Sequence, residues 1–538
     1  MKLTILSLLL CFAACAQEPS APGTKFTVEV RRVPVDVIVT DAKGKPVRDL
    51  KKEEFVVLEE KKPQEITSFT LERVSSTEDA QKSSSIPDGF LTNATIIDPS
   101  ASDLTVILFD ELNTRFSDAA YARSQLEKLL SRPSLKGHPL SLLVLNRELL
   151  RLHDFSSDPE KLLFAFKRHS PFMPVLDENE FSGLKINPYD FPSSVSRDTR
   201  LSERQYQEAF GRFNVISRAE TTLSALRVVA DSLRNRQGRK RIIWLSAGFP
   251  ITFDEGALSR AAMNSYQRRP DSALLKEVQE TSLALTNARV AVYPIDVRGL
   301  EGDSRIAANR SRLDESVAAF EDFGAMQTIA EQTGGQFIHD RNDLAESALR
   351  AVNDGSEYYA LTYRPSDAKL NGTFRRIEVR VNRPGVRVRY RKGYFSPKDQ
   401  KKETIQQSPF YAAATSPLQR TELQFAAAGI RTSESSARFM IILNPDALGT
   451  NPTEIGVAKK WDLVLVEELG PNKRFLGEPH RLELKIDPAN AQKIAKDGFP
   501  FVINLRTKGK SNRVRLVLRD TATDRMGSLD IPLQKPTS

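Results

Sequence analysis

The stretch LTVILFDELNT (residues 104–114) decides how the chain is read. Its first part is an unbroken apolar run of strand length, the pattern of a strand buried on both faces. It ends on an acid, an amide and a hydroxyl: Asp110, Asn113 and Thr114. Polar oxygens at the carboxyl end of a buried strand are placed where α/β sheets present ligand or metal sites. That position makes Asp110, Asn113 and Thr114 candidate ligand-binding residues.

Outward from this strand, apolar runs alternate with helical patterns. SDAAYARSQLEKLLSR reads as a helix with Ser117 as its N-cap. LSLLVLN is a second buried strand, and DPEKLLFAFKRH a short helix with Pro159 at its start. A polar insertion runs from about Ser170 to Phe213. VISRAETTLSALRVVADSLRN is a helix, KRIIWLSAG a strand, ALLKEVQETSLALTNAR a helix and VAVYPIDV a strand. FGAMQTIAEQTGGQFI reads as a helix, closed by glycines, and then a short strand; NDLAESALRAVND is a helix with Asn342 as its N-cap. This alternation predicts a Rossmann-like α/β unit over residues 103–355, with a mostly parallel sheet and helices on both faces.

The flanks are β. VPVDVIVT puts Val33, Val35, Val37 and Val39 on one face, and FVVLEE and EITSFTLE follow, so residues 25–74 form a small β module too thin to stand alone. Residues 75–102 are Ser/Thr/Asp/Pro-rich and read as a linker. Residues 356–396 alternate strictly and read as an antiparallel β extension. Residues 397–417 read as a second linker, and residues 418–535 hold about seven strands expected to form a β-sandwich. The chain is thus a multi-domain protein.

Composition narrows the function classes. The chain has 538 residues and a net charge of +9, with its basic residues dispersed. Its two cysteines, Cys11 and Cys15, both lie in the first sixteen residues, so no later disulfide or thiolate metal site is expected. Those residues (1–16) read as a signal peptide, with Lys2 before a short apolar run. Cleavage after Ala16, leaving Gln17 first, is favoured over a lipoprotein exit through an acylated Cys15. The expectation is an exported chain, periplasmic or extracellular, that meets a membrane only through that lipid. For such a chain the basic charge points to anionic envelope polymers and away from nucleic acid. The Asn93-Ala94-Thr95 triplet matches a glycosylation acceptor but carries little weight in a bacterial export context.

The order of elements resembles a von Willebrand factor type A domain. The upstream VDVIVTDAKGKPVRDLKKEEFVVLEEKKPQEITSF and the downstream YYALTYRP, GTFRRIEVRV and RYRKGYF resemble the VWFA-related family abundant in acidobacteria, across residues 25–396. The resemblance implies a protein-protein interaction or adhesion role at the cell envelope, through a metal-ion-dependent adhesion site at the sheet top. It implies Asp110 and Thr114 as the surviving metal ligands. Hydroxyls and carboxylates suit a hard Mg²⁺ ion with an open position for a ligand carboxylate. Leu112 stands where the family has a hydroxyl and Ala247 where it has a second carboxylate, so the site reads as degenerate and Mg²⁺ as weakly held at most. Ser246 joins the ligand-facing set, and Thr221 or Thr222 is a candidate later hydroxyl. The alternative is a metal-independent scaffold in an envelope complex.

Catalysis is not expected, and no cofactor is expected apart from that Mg²⁺. A G-x-S-x-G elbow at Ser246 would need Gly where Trp244 stands. None of His138, His153, His169, His339 and His480 has a positional role, and no phosphate-binding Gly motif is present. A hydrolase is the remote alternative. The pairs Tyr358-Tyr359 and Tyr390/Tyr394 read as packing residues.

Overall fold

A computed structural model describes residues 32–73, 87, 89–93, 103–172, 197–234, 236, 238–249, 272–298, 324–339, 341–367, 371, 373–396, 409–416, 418–445, 459–470, 473–484, 493–494, 497–508 and 511–534. The leader with Cys11, Cys15 and Gln17, most of the first linker, and residues 250–271 and 299–323 lie outside the described residues. Among the described residues, no helix is long and apolar enough to cross a membrane.

The chain opens with β1 (Val33–Thr40), β2 (Phe55–Glu59), β3 (Lys62–Gln64) and β4 (Ile66–Arg73), then β5 (Leu91–Thr92). Next come β6 (Asp103–Asp110), α1 (Phe116–Leu130), β7 (Leu140–Leu145), β8 (Leu149–Ser156), α2 (Pro159–Arg168) and α3 (Arg197–Leu233). β9 (Arg239–Ser246), α4 (Ser272–Asn287), β10 (Val290–Asp296), α5 (Gly324–Thr333) and α6 (Leu344–Asn353) complete that unit. β11 (Glu357–Tyr363), β12 (Phe374–Val381), β13 (Arg387–Arg389) and β14 (Gly393–Phe395) follow, then α7 (Pro409–Thr415). The last part holds β15 (Phe425–Ser433), β16 (Ser436–Leu443), β17 (Lys459–Gly470), β18 (Lys473–Leu476), β19 (His480–Leu484), β20 (Phe499–Arg506), β21 (Arg513–Asp520) and β22 (Met526–Gln534). Most strand pairs in this multi-domain chain are antiparallel.

The middle sheet has the order β10-β9-β6-β7-β8, parallel except for the antiparallel β7–β8 pair. Every residue of β6 is buried, because both faces are covered. Leu104, Val106 and Leu108 face a core with α3, α4 and α5 residues such as Leu226, Leu285 and Ile329. Ile107 and Phe109 face the opposite core with Leu126, Phe166 and Ala348 from α1, α2 and α6. The period of two therefore divides one apolar run between two cores. Gly335 is required at the α5 exit: a Cβ there would lie 1.8 Å from the Val292 carbonyl oxygen.

Several helix boundaries differ from expectation. The helix after β6 starts at Phe116 with Arg115 as N-cap, so Ser117 lies inside the first turn. The Asn342 cap falls to Asp343, whose carbonyl accepts from Ser347 N. The polar insertion is shorter than its composition suggests, because α3 already begins at Arg197. Pro159 does start α2, with Asp158 accepting from Glu160 N.

The two flanking β segments, read separately from the sequence, join. β1 and β4 both pair with β11, and β2 pairs with β12, giving two four-stranded sheets over one core. Tyr359, Tyr363 and Tyr394 fill that core, and Glu59 is buried at its end. Glu59 accepts from the Tyr363 and Tyr394 hydroxyls and from Arg375. Neither linker is plain linker. β5 pairs with β15, and α7 buries Ala413 and Ala414 against β17 and β21. Asn93 is buried, bonded to Arg420 O, Leu423 O and Phe425 N, so the glycosylation triplet is closed to modification. In place of two independent sheets, the last unit forms one hydrogen-bonded path around a common core. Its halves are linked by a two-residue parallel contact of β15 with β22.

At the base of the middle sheet β9 buries three cations in succession: Arg239, Lys240 and Arg241. Arg241 pairs with Asp103 at 2.6 Å, and Arg239 donates to the Tyr293 hydroxyl at 3.0 Å. Lys240 donates to Arg236 O at 2.6 Å, and burial together with Arg289 holds its ammonium down at about 7. The unfolded Lys240 keeps its proton up to about 10.4, so between those values the unfolded chain binds more protons and stability rises with pH. Lys240→Met is expected to remove that rise, flattening the profile by up to about 1.4 kcal/mol per pH unit between pH 7 and 10. Urea unfolding of both chains across that range reads it. An unchanged slope would show Lys240 to be ordinarily charged.

Candidate functional site

β6 and β9 are neighbours in register, with Phe109 opposite Leu245, so the residues that follow meet at the sheet top. β6 leads on to β7 at one side and β9 to β10 at the other, which makes this crevice a topological switch point. Asp110, Thr114 and Ser246 gather there as expected, and all three are fully buried.

Asp110 is saturated with donors. Its Oδ1 accepts from Asn113 N at 3.0 Å. Its Oδ2 accepts from Asn113 Nδ2 at 2.9 Å, Trp244 Nε1 at 3.1 Å and Ser246 Oγ at 3.0 Å. Trp244 and Ser246 lie two apart on β9, so strand geometry aims both at the same carboxylate. The Thr114 hydroxyl donates to Asp110 O at 2.5 Å and accepts from Ala247 N at 3.3 Å. Asn113 reaches Thr222 Oγ1 on α3 at 2.9 Å, and Thr222 in turn donates to Arg218 O. Thr221 instead bonds Ser217 O on its own helix. The cluster ties β6, β9 and α3 together.

These residues do not fit a divalent cation. A carboxylate is a metal ligand through free lone pairs, and those of Asp110 already receive N–H and O–H groups. Burial pushes the Asp110 carboxyl above its ordinary value, while the bonds from Asn113, Trp244 and Ser246 pull against it. Ser246 Oγ also lies 2.8 Å from Gly248 O. Leu112 packs in the core beneath α3, and Ala247 offers only its backbone N–H. Asp110, Asn113, Thr114 and Ser246 are thus brought together, but as a latch beneath the surface.

Glu111 turns to the opposite face of the sheet. Both its oxygens lie 3.1 Å from His169 Nε2, and one accepts from Phe172 N at 3.1 Å. This buried pair was not visible in the sequence, because 58 residues separate its partners. His169 is held by Glu111, and Ser246 is closed to solvent. His339 stacks on Phe337, and His153 Nδ1 contacts Asp154 O.

Among the described residues at the top, Arg115, Phe116, Arg147 and Glu148 are exposed, Phe116 to 61% on the first turn of α1. The basic stretch of β12–β14 turns only partly inward. Arg375 pairs with Glu59, Arg383 with Glu54 and Asp49, and Arg389 with Asp354, while Arg376, Arg380, Arg387 and Lys392 are exposed.

No family model matches the chain, and no curated protein matches it. Among solved structures, an aerotolerance-related membrane protein from Bacteroides fragilis NCTC 9343, with multiple mutations to serines, is similar at 14% identity. That likeness covers 47% of this chain and 98% of that one, with a TM-score of 0.23. Three N-terminal domains of the type V pili tip protein Mfa5 from Porphyromonas gingivalis are similar at 10% identity. They cover 80% of this chain and 70% of that one, with a TM-score of 0.21. Scores this low carry no argument about function.

Asp110→Ala strands four donors and is expected to cost about 3 kcal/mol or more, whereas Ser246→Ala removes a single donor and should cost about 1 kcal/mol. Urea unfolding compares the two. Equal costs would show that the carboxylate is not the centre of the latch.

Proposed function

We propose that this chain is an exported binding protein whose middle unit is von Willebrand factor type A-like. In this reading the sheet top contacts a protein partner at the cell envelope without a metal ion. The observation that carries it is the saturation of Asp110 by Asn113, Trp244 and Ser246. A metal-dependent site keeps its carboxylate open, whereas this one uses the carboxylate to stiffen the turn that presents Arg115 and Phe116. An exposed aromatic beside an arginine on a rigid turn has the chemistry of a binding hot spot. The chain is read as a non-enzyme, since Ser246 is bonded to Asp110 and buried.

Metal-assisted adhesion is the second reading. Its support is Asn113 Oδ1, a buried oxygen with no hydrogen-bond donor. Added Mg²⁺ or Mn²⁺ separates the two. The metal-independent reading expects no thermal shift, and partner capture from native envelopes that persists in chelator. It also expects Phe116→Ala to lose the partner while unfolding at the parent temperature. A shift with metal that disappears in Asp110→Ala would replace it with the adhesion-site reading.

A further inference from the structure

The middle unit meets the two-sheet unit across a small cavity of about 30 Å³. Pro34 and Asp36 of β1 form one wall. Arg239 of β9, Thr286 and Arg289 at the α4–β10 turn, Thr333 and Gly334 at the end of α5, and Arg391 form the rest. Three guanidinium groups therefore face one carboxylate.

The partners of each cation are accounted for. Arg289 Nη2 bonds Asp36 Oδ1 at 2.5 Å. Among the described residues, Arg391 donates to two carbonyls, Pro34 O at 2.5 Å and Thr286 O at 3.3 Å, and lies over the Tyr394 ring. Arg239 reaches the Tyr293 hydroxyl at 3.0 Å and Gly334 O at 3.4 Å. Tyr293 in turn donates to Asp354 at 2.5 Å, a carboxylate that also pairs with Arg389. Nε of Arg239 and Nε of Arg391 are buried with no acceptor. Buried cations in excess of their counter-charges are costly, and buried N–H groups without acceptors add to that cost. The neighbouring Lys240 ammonium, held down at about 7 with Arg289 among the causes, feels the same positive field.

We propose that this cavity binds one monatomic anion of halide size, chloride under ordinary conditions. Size selects the class. A buried water needs at least about 10–15 Å³ of such space, so the cavity holds one halide or at most two waters, and a sulfate or phosphate is too large. A water would satisfy donors but leave the excess charge, whereas a halide answers both. Arg289, with its side chain 32% exposed, gives the site an edge on solvent. The anion then acts as a counter-ion that holds the β module against the base of the middle sheet.

The test is thermal unfolding of the full chain as chloride replaces gluconate at constant ionic strength. A saturable rise of about 2–4 °C is expected, reproduced by bromide and not by sulfate. Arg391→Gln should abolish it. Asp36→Asn removes the competing carboxylate and should lower the half-saturating chloride concentration by about tenfold or more. In crystals grown in bromide, an anomalous peak should lie between Arg289 and Arg391. Equal responses to chloride and gluconate would overturn the proposal and leave water in the cavity. If Arg391→Gln does not fold, Asp36→Asn decides: a chloride response identical to the parent's would equally overturn it.

Discussion

Three consecutive buried cations at the start of β9 are the constraint that the rest of the architecture answers. Arg239, Lys240 and Arg241 sit where a parallel strand enters its sheet, beyond easy reach of water. Ions in such a place cost several kcal/mol each unless their charge and hydrogen bonds are met. The partners come from everywhere: Asp103 at the head of β6, Val352 O at the end of α6, Tyr293 of β10 with Asp354 beyond it, and Arg236 O from the approach to β9. Around them Asp36 of β1 takes Arg289, and Arg391 takes Pro34 O. The seam can form only when the β module docks on the base of the sheet. That explains why a module too thin to fold alone is recruited from both sides of the α/β unit.

The opposite end of the same strand solves a different problem. There Trp244 and Ser246 deliver their N–H and O–H groups to Asp110, and α3 closes over the cluster through Thr222. An acid at a sheet top can serve a ligand or the fold. With four donors on it and its side chain fully buried, Asp110 serves the fold. Glu111 divides its labour likewise, leaving the crevice to fasten His169 and Phe172 on the other face.

Much of this was legible in the chain because it rests on local periodicity. The run over residues 104–109 could only be a strand covered on both faces, and the alternation at Val33 to Val39 only a strand with one. That Leu112 and Ala247 have no side-chain oxygen to give was equally plain. Helix starts were less legible. Arg115 caps α1 without a side-chain bond, so no Ser, Thr or Asp marks the place.

The sequence by itself therefore determined most of the strands and helices, though not β5 or α7, and that an acid stands at the tip of the first buried strand. Tertiary structure decided what that acid touches, and it also decided that β1–β4 and β11–β14 share one core. The reason is separation along the chain. Trp244 lies 134 residues from Asp110, and Glu59 lies 304 residues from Tyr363. No local pattern encodes such pairs, which exist only because two strands of one sheet, or two sheets over one core, bring unrelated parts of the chain within hydrogen-bond reach.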